Sequence, residues 1–533
     1  MAAALRQLIP EPGPLLPSRA RLGLIVPAIA AGLVAALTLP PILLAAVRTP
    51  PGFLFSGYVV IARDAFVYQA IWRQGWNGAW LFRSPYTSES LPGVLLYPWY
   101  LWPAHLLGWI PGPLLYHLER VGAAAALLVT LWWLTGEFFR ARVVRWWAMV
   151  LAGLGGGIGV ILPQLPLGPL TLRATEMQSP GSSVADLVAM APHLPWSLAL
   201  MCWVFVVALR LRRRLVPGEL ISGLLAVVGL QLIYPQLGLL ATVVVGAWAL
   251  VTHRPLAGWF AGGAAVLQLP YLAYLAVSLH ASPTAFAVIR GSLSVGDPIG
   301  FLVLSHAVAS GLILLALRDG RLRGDLLLPA FWIVGMTLFM FTPGANQVLG
   351  RSFMASSIPF GLCAAPGLLG LLRALRDRAW RRRVGALLLA GSSLYGLFSL
   401  AQPFWIAGLR LDAAAEYESR AEAGLLERLA PRVSDSDVVL TSYLDGVFVP
   451  AQTNARVFVG HPEMTLDAAH KADQATAFFS SWNAERRDAF LHANGIDYVL
   501  AGSPAASARL AGDPGLRLID RAGEAALYRV LSP

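Results

Sequence analysis

The chain has 533 residues, 57% hydrophobic and only 13% charged, with a mean hydropathy of +0.63 and a formal net charge of +11. Many apolar runs approach or exceed the ~20 residues that cross a bilayer, which excludes an ordinary soluble globule and predicts an α-helical polytopic membrane protein. The positive charge gives no argument for nucleic acid, because it sits in short arginine clusters between apolar runs, where the positive-inside rule puts cations.

Residues 1–21 are Pro-rich, carry Arg6, Arg19 and Arg21, and read as a cytoplasmic tail. The first apolar run, 22–47, is too long for a signal-peptide core and lacks a cleavage site, so it is expected to be a retained span. A first outside loop, 48–112, follows. It mixes Arg63, Asp64, Arg73, Arg83 and Glu89 with aromatics from Tyr58 to Tyr100, residues that favour a membrane–water interface. From Asp64, the apolar positions Phe66, Ala70 and Ile71 recur at helical spacing, which predicts a short amphipathic helix on the membrane surface. Asp64 has two readings: a carboxylate capping the helix start, or a catalytic base at the membrane face.

Residues 93–110 are apolar but interrupted by Pro98, Pro103 and His105. If they crossed, the clusters Arg140/Arg142/Arg145 and Arg210/Arg212/Arg213/Arg214 would fall outside; if they only dip into the membrane, every basic cluster falls inside. The second arrangement predicts about eleven spans, at roughly 22–47, 113–136, 146–164, 191–209, 220–234, 236–252, 255–278, 298–317, 326–343, 352–372 and 384–406, with the N-terminus inside and the C-terminus outside. The transmembrane domain is thus 22–406. Both cysteines, Cys202 and Cys363, fall within it and suggest no disulfide framework. Residues 407–533 change character: polar helical patterns alternate with strand-like runs at 438–441, 457–459, 496–500, 516–519 and 525–530, a small soluble α/β domain placed outside.

Asp64 and Glu176, each in a long outside loop beside a span, are the candidate catalytic carboxylates, since group transfer to a hydroxyl needs a base. Arg351, at the outer end of a span, could hold a phosphate bidentately. Glu176 as a solvated loop carboxylate and Arg351 as an interfacial anchor are the plainer alternatives. His105 and His193 end apolar segments; with the two carboxylates they could bind a divalent metal, but their spacing matches no compact metal motif, so no metal ligand is assigned. Tyr234-Pro235 is expected to break a helix. Asp435-Ser436-Asp437 has the form of a metal–nucleotide motif but reads better as a turn before a strand.

Several of these stretches together resemble the GT-C class of polytopic glycosyltransferases, relatives of protein O-mannosyltransferases and lipid A aminoarabinose transferases. The stretches are Arg63-Asp64-Ala65-Phe66-Val67-Tyr68, Gly75-Trp76-Asn77-Gly78-Ala79-Trp80-Leu81, Ser84-Pro85-Tyr86-Thr87-Ser88-Glu89, and in the tail Gly460-His461 and Gly495-Ile496-Asp497-Tyr498-Val499. Asp64 is followed by Ala65, where well-studied members often pair two acids. The resemblance implies a bacterial plasma-membrane enzyme that takes a sugar from a polyprenyl-phosphate donor to an extracytoplasmic acceptor. It makes Asp64 the general base, Arg351 and Arg63 the donor-phosphate residues, and His193, His105, Tyr234, Tyr86 and Glu89 the substrate groove. A transporter or flippase is the competing reading; it calls for midplane charges and duplicated halves, whereas the charges here cluster at span ends. A non-catalytic membrane scaffold whose tail binds a partner is the third.

Overall fold

The computed structural model describes residues 22–156, 181–212, 214–282, 305–341, 350–409 and 413–531. The chain opens with α1 (Leu22–Thr38) and α2 (Pro40–Val47), broken where Pro40 and Pro41 remove amide donors. Strand β1 (Phe53–Phe55), helix α3 (Ala62–Trp76) and the one-turn helices α4 (Pro98–Leu101) and α5 (Ala104–Leu107) follow. The bundle then comprises α6 (Gly112–Phe138), α7 (Arg142–Gly153), α8 (His193–Leu211), α9 (Pro217–Ile233), α10 (Pro235–Val251), α11 (Pro255–Ala281), α12 (Ala307–Arg318), α13 (Leu327–Phe341), α14 (Ser357–Ala374) and α15 (Arg378–Leu409).

Among the described residues, 7 helical stretches are long and apolar enough to cross a membrane, and α9, α10 and α12 are shorter apolar helices. In the expected span 146–164 the helix ends at Gly153, and 157–164 lie outside the described residues. Large apolar side chains such as Leu43, Leu118, Trp259, Leu314 and Leu387 stand exposed along the bundle, a surface suited to lipid rather than water. No helix within 93–110 approaches spanning length, because Pro98 and Pro103 restart the chain in single turns.

Ion pairs tie the basic helix ends together. Arg210 binds Glu137 at 3.0 Å and Glu219 at 3.1 Å, and Arg212 pairs with Asp325. The end of α6, the end of α8, the start of α9 and the turn before α13 therefore share one end of the bundle. At the opposite end, the Leu95 amide donates to the Tyr274 hydroxyl at 2.8 Å, and His117 Nε2 reaches Gly57 O at 2.7 Å.

The C-terminal part contains β2 (Tyr417–Ser419), α16 (Arg420–Leu429), β3 (Val438–Leu440), α17 (Phe448–Gln452), β4 (Arg456–Val457), α18 (Ala468–Ser480), α19 (Ala484–Ala493), β5 (Tyr498–Ala501), α20 (Pro504–Leu510), β6 (Leu516–Ala522) and β7 (Ala525–Val530). The sheet order is β4-β3-β5-β7-β6, with the first three strands parallel and β7 and β6 antiparallel to their neighbours. Val438-Val439-Leu440 and Tyr498-Val499-Leu500-Ala501 are buried at every position, as parallel strands covered on both faces must be. Asp437 Oδ2 accepts from Ser434 N (2.7 Å) and Ser434 Oγ (2.8 Å), so the Asp435-Ser436-Asp437 stretch is a turn leading into β3.

The first loop does not lie apart on a lipid surface. β1 pairs antiparallel with β2, Leu54 opposite Glu418. Tyr58, Phe66, Trp72 and Tyr86 share one hydrophobic core with Leu425, Val447 and Phe448. Phe66 meets Phe448 edge-on at 4.8 Å. The expectation of a surface-lying amphipathic α3 is thus corrected: its apolar face is spent on protein, because the C-terminal part supplies a matching apolar layer. Tyr58, Tyr86 and Tyr100 are buried for the same reason, while Trp76, Trp80 and Trp109 remain exposed.

Candidate functional site

Asp64 stands in the first turn of α3. The residue before the helix, Ile61, adopts φ 47°, ψ 43°, a left-handed conformation that strains a β-branched side chain, and it makes no side-chain cap. Asp64 does not cap the helix either. Its Oδ1 lies 3.0 Å from Nε2 of His461, in the loop that follows β4. His461 Nδ1 accepts the Glu463 amide at 3.2 Å; in the neutral ring this leaves the proton on Nε2, pointed at the carboxylate. His461 is buried, whereas the Asp64 side chain is 45% exposed, and among the described residues no other hydrogen bond to the Asp64 carboxylate is formed. One oxygen is held by His461 while the side chain stays partly exposed, so the carboxylate can meet an incoming proton.

The His461 loop is itself held tightly. Thr465 Oγ1 accepts from the amides of Gly460 and His461, both at 3.3 Å. Gly446 and Gly460 bring two backbones together: a Cβ on Gly446 would lie 2.1 Å from Val459 O. Only glycine permits the loop after β3 to touch the loop carrying His461.

One turn beyond Asp64, Tyr68 stacks on Tyr100 with ring centroids 4.6 Å apart. The Tyr100 hydroxyl meets His193 Nδ1 at 2.7 Å, and the His193 ring stacks on Tyr234 at 5.9 Å. Desolvation, and then the nearby Asp64 charge, hold the Tyr68 phenol well above its ordinary pKa. The structure therefore joins Asp64, Tyr68, Tyr100, His193 and the Tyr234-Pro235 break in one continuous aromatic wall.

The remaining candidates are dispersed. Arg63 lies over the Tyr443 ring at 5.2 Å. Tyr86 is fully buried and donates to Val447 O at 3.1 Å, so it braces the core beneath the site and does not reach its surface. Glu89 binds Lys471 at 2.7 Å, and those contacts lower its carboxyl pKa. His105 stacks on Trp80 at 4.4 Å, with Nε2 3.2 Å from Ala79 O, on the outer side of the loop. Glu176 and the Arg351 side chain lie outside the described residues. Among the described residues, no three His, Cys, Asp or Glu side chains are arranged to hold a metal ion. His461 and Lys471 are the partners that sequence reading missed. Lys471, the only lysine in the chain, was the available signal for one of them.

No protein-family model matches the sequence, and no curated protein is similar to it. The fold is similar to that of the archaeal oligosaccharyltransferase AglB from Archaeoglobus fulgidus, solved with an inhibitory peptide and a dolichol-phosphate. The TM-score is 0.53 at 12% identity, over 92% of this chain and 71% of that one. An Archaeoglobus fulgidus oligosaccharyltransferase tethered to an acceptor peptide aligns with a TM-score of 0.51 at 12% identity, over 93% of this chain and 71% of that one. The arabinofuranosyltransferase AftD from Mycobacteria gives 0.48 at 14% identity, over 95% and 41%. The first two alignments establish that the chain shares the overall fold of the archaeal oligosaccharyltransferase.

Proposed function

We propose that this protein is a membrane glycosyltransferase that moves a sugar from a polyprenyl-phosphate donor to an acceptor on the outer face of a bacterial plasma membrane. The observation that carries the reading is the Asp64 carboxylate, held by His461 on one oxygen and partly exposed, at the junction of the first loop and the sheet. In the proposed reaction the acceptor oxygen attacks the anomeric carbon as the bond to the lipid phosphate breaks. Asp64 takes the acceptor proton, and inversion follows from the direct displacement. Arg63 and Arg351 are assigned to the leaving phosphate, whose developing charge a guanidinium stabilises. Tyr68, the partly exposed member of the stack, is assigned to the donor's path, with Tyr100, His193 and Tyr234 buried behind it, and Glu176 is kept as a second candidate carboxylate. The dolichol-phosphate in the AglB structure supports a lipid-phosphate donor by analogy of fold.

The gathering of arginine-bearing helix ends at one end of the bundle supports a cytoplasmic position for that end, with the 413–531 part outside. A reporter fused after Pro533 that is active only in the cytoplasm would overturn this orientation. The function itself is tested by incubating purified protein with a panel of polyprenyl-phosphate sugars. Release of the lipid phosphate together with a glycosylated product supports transfer; intact donors throughout the panel refute it.

A further inference from the structure

A cleft of about 910 Å³ opens where the first loop meets the carboxyl ends of the parallel strands. Ser442 and Asp445, after β3, and Gly502 and Ser503, after β5, form its floor. The chain leaves β3 toward β4 on one side and β5 toward β6, beyond β7, on the other. In open α/β sheets such a divergence creates a crevice, and ligands settle there. Phe53 of β1, 40% exposed, and Phe479 of α18 supply apolar walls.

Ser442 donates to Asp445 Oδ2 at 2.5 Å and Ser503 accepts from the Ala506 amide, but one buried carboxylate oxygen of the lining is left over. Glu422 is only 6% exposed, lines the cleft, and its Oε1 has no hydrogen-bond partner among the described residues. A Cβ at Gly502 would lie 1.7 Å from that oxygen and 3.2 Å from Asp445 Oδ2, so glycine there leaves room for both carboxyl groups at the cleft. Thr441 Oγ1, one residue before Ser442, is also buried without a partner among the described residues. Burial raises both carboxyl pKa values; the Asp445 charge adds to the rise at Glu422, whereas hydrogen bonds with Ser442 and Glu422 oppose it at Asp445. A pair that shares one proton offers a donor and an acceptor side by side. Arg420 lines the same cleft, which weighs against a cationic ligand. Clustered hydroxyl and carboxyl groups between the exposed Phe53 and the half-buried Phe479 match the alternating hydroxyls and apolar faces of a sugar ring.

We infer that this cleft binds a carbohydrate, the glycan acceptor of the transfer proposed above, on which reading the inference rests. The loop that lines the cleft with Ser442 and Asp445 also carries Tyr443, under Arg63, and Gly446, against the His461 loop. A glycan seated there borders the Asp64 site across a single loop.

The test uses the full chain in lipid nanodiscs, titrated with a panel of neutral oligosaccharides and with spermidine as a cationic counter-probe. Saturable oligosaccharide binding is expected. It should weaken at least tenfold in Phe53→Ala, an exposed position that leaves the fold intact, and in Glu422→Gln. Absence of saturable binding across the panel overturns the inference. So does binding that neither cleft substitution changes, or spermidine binding that Glu422→Gln abolishes while oligosaccharides do not compete. The two readings fail separately. If lipid phosphate is released from donor but no glycan binds, the cleft assignment falls and the transferase stands; glycan binding with no donor consumed is the reverse.

Discussion

Nε2 of His461 lies 3.0 Å from Oδ1 of Asp64, a contact between residues 397 positions apart. It locks the C-terminal sheet to the first turn of α3 and gives the one half-exposed carboxylate of that turn a defined orientation. If Asp64 is the base, His461 acts through it as a positioning residue. A hydrogen bond to a charged group contributes about 1.5–3 kcal/mol, so His461→Ala should lower kcat on the order of 10–100-fold with little change in KM for the donor. His461→Gln, which retains an N–H donor, should recover part of the loss. A rise in KM at constant kcat would show instead that His461 serves substrate binding.

Gly446 sets the spacing of the same contact. A Cβ there meets only backbone, Val459 O at 2.1 Å and Gly460 Cα at 2.9 Å, so no flexible side chain can yield. Gly446→Ala should cost about 1–3 kcal/mol of stability by overpacking and should reduce turnover as the His461 loop is pushed away. Thermal unfolding and donor turnover measured on the same preparation check both halves. A variant with wild-type values in both contradicts the spacing argument.

The Lys471–Glu89 pair is asymmetric: the lysine side chain is 8% exposed and the glutamate 45%. Lys471 also reaches Thr87 Oγ1 at 3.2 Å and Ser88 Oγ at 3.0 Å, and burial lowers its pKa. Removing Glu89 leaves a buried cation without its counter-charge, whereas removing Lys471 leaves a carboxylate that water can reach. Glu89→Ala should therefore destabilise by about 1–3 kcal/mol, and Lys471→Met by less. Unfolding midpoints of the two variants in one detergent decide the order.

Glu418 should make stability fall with rising pH. Burial pushes its carboxyl up to about 7, ahead of the opposing Gln452 hydrogen bond and the Asp445 charge. A carboxyl raised above its unfolded value of 4.5 contributes fully at pH below that value and loses the contribution as pH climbs through about 7. The loss amounts to about 3 kcal/mol. Melting curves from pH 5 to 9 should descend, and Glu418→Gln should flatten them; a wild-type curve that rises over this window contradicts the assignment.

What the chain reveals in its sequence is set by range. Length and apolar composition are local, so the helices of the bundle and the interrupted 93–110 stretch were readable, and so was the turn at Asp435-Ser436-Asp437. Asp64 was singled out because a lone acid opening an amphipathic turn is also a local signal. Its partner was not visible, since no periodicity links residue 64 to residue 461. The burial of Tyr58, Tyr86 and Tyr100 was misread as interfacial for the same reason: an aromatic run looks identical whether lipid or a folded sheet covers it. Glu422 and Gly502 carried no motif, because their meeting depends on the order of strands in the sheet.

The most direct test of the account is the turnover of Asp64→Asn with a polyprenyl-phosphate sugar under conditions where chemistry is rate-limiting. Asparagine keeps the size of the side chain and an oxygen for His461 but cannot take a proton. General-base catalysis contributes about 10²–10⁴-fold, so release of lipid phosphate should fall by that order while donor binding, assigned to arginine, stays within error of the wild type. Transfer by Asp64→Asn at the wild-type rate would contradict the account and remove Asp64 from the chemistry.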